Sequence, residues 1–335
     1  MKAIRVPDGG GLDRLQVSEM EDPGQPGPGE IRVRIHASSL NFHDMGVVTG
    51  RMPSEDGRIP MADGAGVVEA VGDGVTEFGR GDRVVSVFFP DWLDGPARVG
   101  DFSRTPGDGI DGYAREIVVT PAHWFTHAPD GWSHEEAATL TTAGLTAWRA
   151  LVVDGGLKAG DDVLVLGTGG VSIFALQMAT AMGARVFATS SSDAKLARLT
   201  EMGAAGVVNY RKDEDWGETV ADMTGGRGVD LVVEVGGPAT LAQSIEAVRI
   251  GGHMALIGVL TGISGEIPTA ALMRKQQTLK GLIVGSRTMQ QEMVRGLETT
   301  GLRPVIDRTF PLDGIADAFR HEQSGEHFGK IVLSF

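Results

Sequence analysis

The sequence contains no cysteine. That excludes disulfides and every thiolate metal site, and it suits a reducing cytoplasm. Tyrosine is nearly as scarce, with only Tyr113 and Tyr210. No apolar run approaches the roughly 20 residues of a membrane span. The start, MKAIRVPDGG, lacks the apolar core of a signal peptide. Basic residues are outnumbered, 30 Lys and Arg against 44 Asp and Glu, for a formal net charge of −14. A nucleic-acid partner requires a basic surface, so this balance argues against one. What is present is a folded composition of 335 residues, long enough for two domains. The 49 glycines sit mostly at the ends of strand candidates, as expected of a chain with many tight turns.

The first part, to about residue 124, is rich in strand signals. Lys2–Val6 and Gln16–Met20 are short candidates. Ile31, Val33 and Ile35 alternate with Arg32, Arg34 and His36, the pattern of a half-buried strand. Met61–Val71, Gly79–Val85 and Tyr113–Thr120 add three more strands. Ser38–Gly50 carries a polar cluster, Asn41, His43 and Asp44. Phe88–Gly112 is irregular and glycine-rich and is expected to be a surface lobe.

The pattern changes at Ser133, whose spacing to Glu136 predicts a capping box at the head of a long helix over Ala137–Val153. Asp161–Ala175, DDVLVLGTGGVSIFA, follows. Four apolar residues, Val163–Leu166, run into Gly167, Gly169 and Gly170, and Val171, Phe174, Ala175 and Met178 then recur at helical spacing. A strand that stops in glycines and restarts as a helix leaves backbone N–H groups at the helix N-terminus. Those groups, with the helix dipole, favour a phosphate. Ser172 holds the third position of the dinucleotide fingerprint, where Gly or Ala is usual. Strands and helices alternate from here through the Leu279–Gly285 strand, which implies a parallel, doubly wound sheet. The remaining tail, with helices at Met289–Thr299 and Ile315–His321 and a last strand at Lys330–Phe335, is too small for its own core. It is expected to pack on the first part.

A carboxylate about 20 residues beyond the glycine turn would select NADH by binding the ribose 2′-hydroxyl. Here the second strand ends in Thr189, Ser190, Ser191 and Ser192, followed by Asp193 and Lys195. Hydroxyls and a lysine suit the 2′-phosphate of NADPH. Asp193 keeps NADH open, and the serines also read as a helix cap.

In order and spacing the chain resembles the medium-chain dehydrogenase/reductase superfamily over essentially its whole length. The resemblance rests on DGAGVVEAVG at Asp63–Gly72, GDRV at Gly81–Val84, AATLTTAGLTAW at Ala137–Trp148, the glycine turn, and HFGKIVL at His327–Leu333. It implies a Rossmann domain over residues 125–286 and a β-rich, GroES-like catalytic domain built from 1–124 and 287–335. The positions matching the superfamily's catalytic zinc ligands hold Asn41, Ala62 and Thr142, with Met61–Asp63 in place of Gly-His-Glu. None supplies thiolate or imidazole, so zinc is not expected. The alternative is a site on His43, Asp44 and Asp63.

The remainder resembles the zinc-free quinone oxidoreductases, with Asn41 and Asp44 as their Asn-x-x-Asp segment. That likeness assigns Ser190, Lys195 and Tyr210 to the 2′-phosphate. It sets Thr146, Gly258, Val259 and Lys330 along the nicotinamide half, beside Gly167, Gly169, Gly170 and Val171 at the pyrophosphate. Gly46 stands where an aromatic residue often follows, which implies a larger or differently shaped pocket. The expected activity is hydride transfer from NADPH to a quinone or an α,β-unsaturated carbonyl. Asn41 is a candidate donor to the carbonyl or the nicotinamide ribose, and His43 or solvent a candidate proton source. Asp44 and Asp63 read as structural, binding backbone N–H groups. The alternatives are an alcohol dehydrogenase or carbonyl reductase with a non-zinc acid, and a non-catalytic NADPH-binding sensor. The apolar edge strand Leu279–Gly285 predicts a homodimer.

Overall fold

The computed structural model describes all 335 residues. Two compact units form, Met1–Leu145 with Val284–Phe335, and Thr146–Ile283. The first boundary falls at Leu145 and not near residue 124. Phe125–His127 is a strand paired with Arg83–Ser86. The Ser133 capping box then starts a helix, His134–Ala138, that packs on strands of the same unit. In that box the Ser133 hydroxyl accepts from the Glu136 N–H at 3.1 Å, and the Glu136 carboxylate accepts from the Ser133 N–H at 2.7 Å.

In the first unit, Glu30–Ser39 is the central strand. Ile31, Val33 and Ile35 are fully buried, as their alternation predicts. The intervening Arg32 and Arg34 share Glu69, and Arg32 also binds Asp22. Ala65–Val71 pairs antiparallel on one side, and Arg83–Ser86 continues the sheet beyond it. Lys330–Ser334 pairs antiparallel with Ser39, Ser38 and Ala37, so the tail completes this sheet, with Ile306–Pro311 parallel beyond it. The 88–112 segment is less of a surface lobe than expected. Phe88, Phe89 and Trp92 are buried, and so are Thr105 and Asp108. Four aromatic rings of this segment, Phe88, Phe89, Trp92 and Phe102, pack on one another, which holds an irregular backbone that glycine content alone made look loose.

The second unit is a six-stranded parallel sheet. Its order is Gly206–Asn209, Arg185–Ser190, Asp162–Leu166, Val229–Glu234, Val248–Leu256, Thr278–Gly281. Asp162–Leu166 is buried at every residue, as a central parallel strand requires. The strand order reverses beside it, between Asp162–Leu166 and Val229–Glu234, the place where open α/β sheets bind ligands. The last strand stops at Gly281, earlier than its apolar run suggested. Leu282 turns inward to burial while Ile283 stays partly exposed. The expected long helix after Ser133 is broken by π-helical turns at Leu140–Gly144 and Arg149–Val153. No helix is long and apolar enough to cross a membrane.

Candidate active site

The first unit contains a buried polar cluster at the start of the helix Phe42–Val48. Asn41 caps that helix. Its N–H donates to Asp44 Oδ2 at 3.0 Å, and Asp44 Oδ1 accepts from the Ala62 N–H at 3.0 Å. Asp44 therefore ties the helix start to the Met61–Asp63 segment, the structural role expected of it. Burial, reinforced by the nearby Asp63 carboxylate, pushes its pKa up to about 6. Met61 holds φ +80° while fully buried. It stands where the resembling motif has Gly, and it adopts a conformation that costs most residues about 1–2 kcal/mol.

Asp63 is completely buried and accepts from all sides. Ser39 Oγ donates to Oδ2 at 2.5 Å, Asn41 Nδ2 to Oδ2 at 2.9 Å, and Thr142 Oγ1 to Oδ1 at 2.6 Å. The Lys330 ammonium lies 3.8 Å from Oδ2. Lys330 is itself buried, and it donates to the Leu40 carbonyl at 2.5 Å and to Asn41 Oδ1 at 2.6 Å. Burial depresses its pKa, opposed by the field of Asp63, Glu322 and Asp44. Glu322 sits in the same field with its Oε2 buried and unpartnered, and burial raises its pKa to about 7.

These contacts correct the role expected of Asn41. Both Nδ2 hydrogens are engaged, by Asp63 and by Asp44 at 3.1 Å, and Oδ1 is held by Lys330. Asn41 is a strut in this network and has no spare donor for a substrate carbonyl. Lys330 likewise commits its ammonium to the interior of the first unit. Sequence reasoning singled out Asn41 and Lys330 but not their union through Asp63. A charged residue inside the otherwise apolar Lys330–Phe335 strand was the available signal.

The zinc positions fail on donor chemistry. Asn41 Oδ1 is held by Lys330, the Thr142 hydroxyl is turned to Asp63, and Ala62 offers only a backbone carbonyl that already accepts from Ser86 Oγ at 3.1 Å. No group of three or more His, Asp or Glu side chains is placed to hold a metal ion. The space above Gly46 is also not empty. A Cβ there would lie 2.8 Å from Met52 Sδ, so Met52 fills part of the room left by the missing aromatic residue.

The second unit carries the glycine turn. Gly167 has φ +73°, and nothing lies within 4 Å of where its Cβ would be. Its N–H is held by the Thr189 carbonyl at 2.8 Å. Gly169 is the N-cap of Gly170–Ala181 and supplies no side-chain cap, so the helix start with Gly170 and Val171 presents uncapped backbone donors. The turn is thus a cradle that a Cβ would intrude on, and it fits a dinucleotide pyrophosphate. Ser172, unexplained in the sequence, is buried, and its hydroxyl donates to the Leu166 carbonyl at 2.6 Å. It ties the helix to the strand it leaves.

Ser190 and Tyr210 meet at the ends of adjacent parallel strands. The Tyr210 N–H donates to the Ser190 carbonyl at 3.2 Å, and the Tyr210 ring is exposed. Ser190 Oγ accepts from the Ser192 N–H at 3.3 Å, and Ser192 caps the next helix by accepting from the Lys195 N–H at 3.4 Å. Asp193, the one acidic competitor, is bound by Lys212 at 2.5 Å and Asn209 at 2.6 Å. Lys212 lowers its pKa.

Thr146 is buried on the short helix Leu145–Trp148. Gly258 packs so that a Cβ would lie 2.0 Å from the Val235 carbonyl, while Val259 is exposed. Glu234 organises that end of the sheet. Its carboxylate accepts from the N–H groups of Gly236 and Gly237 at 2.7 and 3.0 Å and from the hydroxyls of Thr240 and Ser244. Sequence reasoning passed over it, although a carboxylate in an apolar run before Gly-Gly was visible.

Residues 27–130 match the family model described as the alcohol dehydrogenase GroES-like domain, and 170–299 match the zinc-binding dehydrogenase model. The chain belongs to the medium-chain dehydrogenase/reductase superfamily. A zinc-type alcohol dehydrogenase-like protein of Schizosaccharomyces pombe is 40% identical, with 96% of each chain covered. Among solved structures, an NAD-dependent alcohol dehydrogenase is 34% identical, with TM-score 0.90 and all of both chains covered. A quinone oxidoreductase of Pseudomonas syringae is 29% identical, with TM-score 0.83, covering 100% of this chain and 99% of that one. A mycobacterial protein solved with NADPH is 28% identical, with TM-score 0.82 and both chains fully covered. The chain is therefore an oxidoreductase of the alcohol dehydrogenase superfamily with a Rossmann sheet and a GroES-like unit.

Proposed function

We propose that this oxidoreductase works without zinc and uses NADPH to reduce a quinone or an α,β-unsaturated carbonyl. One observation carries the reading: Asn41 and Thr142, at positions matching the superfamily's zinc ligands, are tied into a saturated network with Asp63 and Lys330. Without a Lewis acid, an acceptor that is already electron-poor is the reasonable partner. Bound NADPH would supply the hydride. Gly167, Gly169, Gly170 and Val171 would hold its pyrophosphate, and Ser190, Lys195 and Tyr210 its 2′-phosphate, with Thr146, Gly258 and Val259 lining the nicotinamide half. The commitment of Asp193 to Lys212 and Asn209 supports NADPH over NADH.

Alcohol or carbonyl oxidoreduction is the second reading, favoured by the likeness to the NAD-dependent alcohol dehydrogenase. A homodimer through the exposed edge of Thr278–Gly281 belongs to the proposal. Ile250 and Met273 are largely exposed apolar side chains of that unit.

Loss of NADPH absorbance, followed with phenanthrenequinone, an enal and a simple ketone, before and after chelation, tests the function. Turnover of the quinone or enal unaffected by chelator is expected. Turnover confined to ketones and alcohols would move the assignment to the second reading. NADPH binding with no turnover on any acceptor would favour a sensor. Lys195→Ala should cut the NADPH-to-NADH preference about tenfold, the worth of one charge-assisted hydrogen bond.

A further inference from the structure

Reduction of an enone or quinone by hydride leaves the acceptor short of one proton. We propose that His43, oriented by Asp108, supplies that proton; the inference rests on the reading above. His43 lies on the first turn of Phe42–Val48, two residues from Asn41. Every polar side chain beside it in the cluster has a structural commitment: Asn41, Asp44, Asp63 and Lys330 all bind one another or the backbone. His43 does not. Its Nε2 is buried 3.3 Å from Asp108 Oδ2, inside ion-pair reach but not aligned as a hydrogen bond. Its Nδ1 makes no hydrogen bond within the protein.

The surroundings are built around this ring. Phe102 packs against it at 4.5 Å between centroids and Phe88 meets it edge-on at 5.6 Å. Asp108 is buried in a tight turn whose N–H donates to the Thr105 carbonyl at 3.2 Å. The neighbouring Gly107 presses on the Met61 backbone, with its Cβ position 2.7 Å away. The turn is thereby anchored to the segment that carries Asp63. The charged groups facing His43 are Asp108 from this turn and Asp44 from its own helix.

The arrangement assigns the two nitrogens different tasks. Nε2 is the nitrogen nearest the Asp108 carboxylate, at 3.3 Å, and Asp108 is the group that can orient the ring through it. Nδ1 is then the nitrogen that exchanges a proton. In the step, the hydride brings one hydrogen and two electrons to the β-carbon of an enone, and the C=C π pair shifts toward the carbonyl oxygen. The Nδ1–H bond of the imidazolium breaks, its electron pair stays on nitrogen, and a C–H bond forms at the α-carbon. For a quinone the new bond is O–H. Solvent then reprotonates the neutral imidazole. Histidine suits the task because it exchanges protons near neutral pH, while the misaligned 3.3 Å contact is of the kind that tightens when substrate is bound. Asp108 acts through His43 and is a positioning residue.

The test pairs a ligand-free measurement with kinetics. NMR titration of the imidazole signals in ligand-free protein, with His43 assigned by its loss in His43→Gln, should show its pKa falling by about one unit in Asp108→Asn. With NADPH and phenanthrenequinone, kcat/KM for the quinone in the wild type should fall on the basic side at the pKa measured for His43 in the free protein. His43→Gln should lose that limb and about 100-fold in kcat with little change in KM for NADPH. Asp108→Asn should move the limb to lower pH. An unchanged pH profile in His43→Gln, or an imidazole insensitive to Asp108→Asn, would overturn the assignment while leaving quinone reduction standing. Wild-type protein inactive on every quinone and enone would overturn both.

Discussion

The two polar regions of this protein treat hydrogen-bonding capacity in opposite ways. In the first unit, Asp63 takes three side-chain donors and the field of Lys330, and nothing is left over. In the second, Gly167 and Gly169 open a turn where no side chain caps the helix and no atom fills the space a Cβ would occupy. Both regions hold residues singled out as functional, yet the Asp63 network has no donor available for a ligand and the glycine turn does. Burial of polar groups is thus a poor guide to chemistry. Unspent capacity is the better one, because a satisfied buried network gains nothing further from a ligand.

That contrast can be broken by attacking the saturated region. Lys330→Met would leave Asp63 buried without its cation and Asn41 Oδ1 without its donor. A loss of about 3–5 kcal/mol in urea unfolding is expected. A loss below about 1 kcal/mol would mean that the network is incidental to the fold. The open region should respond in ligand affinity more than in stability. Gly167→Val puts a branched side chain at φ +73°, for about 1–2 kcal/mol of strain, and into the cradle itself. NADPH binding followed by fluorescence should weaken more than tenfold. Unaltered affinity would remove the turn from the cofactor site.

Glu322→Gln sharpens the account of the first region through pH. Its folded pKa is raised from 4.5 to about 7. The folded state therefore holds the extra proton between those values, and wild-type stability falls as pH rises through that window. The variant should match the wild type near pH 4 and have the higher Tm at pH 8. Parallel Tm curves across this range would show that the carboxyl is solvated. Ser172→Ala is the mildest test. It deprives the Leu166 carbonyl of one donor, and about 1 kcal/mol should be lost with NADPH affinity preserved.

Much of the architecture was legible because it depends on short-range patterns. The alternation of Ile31, Val33 and Ile35, the Ser133–Glu136 box and the strand–glycine–helix run each state a local geometry, and all three appear as read. Misreadings came where distant residues decide. The 88–112 segment looked loose because its glycines are local, whereas Phe88 meets His43 and both Phe88 and Phe89 meet Phe102 only in the folded chain. The unit boundary moved to Leu145 because the helix after Ser133 packs on strands far earlier in sequence. Gly46 promised space that Met52 partly fills.

The sequence by itself determined the class of protein, its two-part organisation and the glycine cradle. Periodicity, capping and φ requirements act over a few residues and need no tertiary knowledge. It also determined that the zinc positions hold no zinc-binding side chains, since identity alone excludes thiolate and imidazole. Only the tertiary structure decided what those positions do instead. Lys330 reaches Asn41 across 289 residues of chain, and Thr142 reaches Asp63 across 79. Hydrogen bonds of that kind depend on two strands and a helix meeting at one point. No local pattern encodes the meeting, so Asn41 read as a donor for substrate and proved to be a strut.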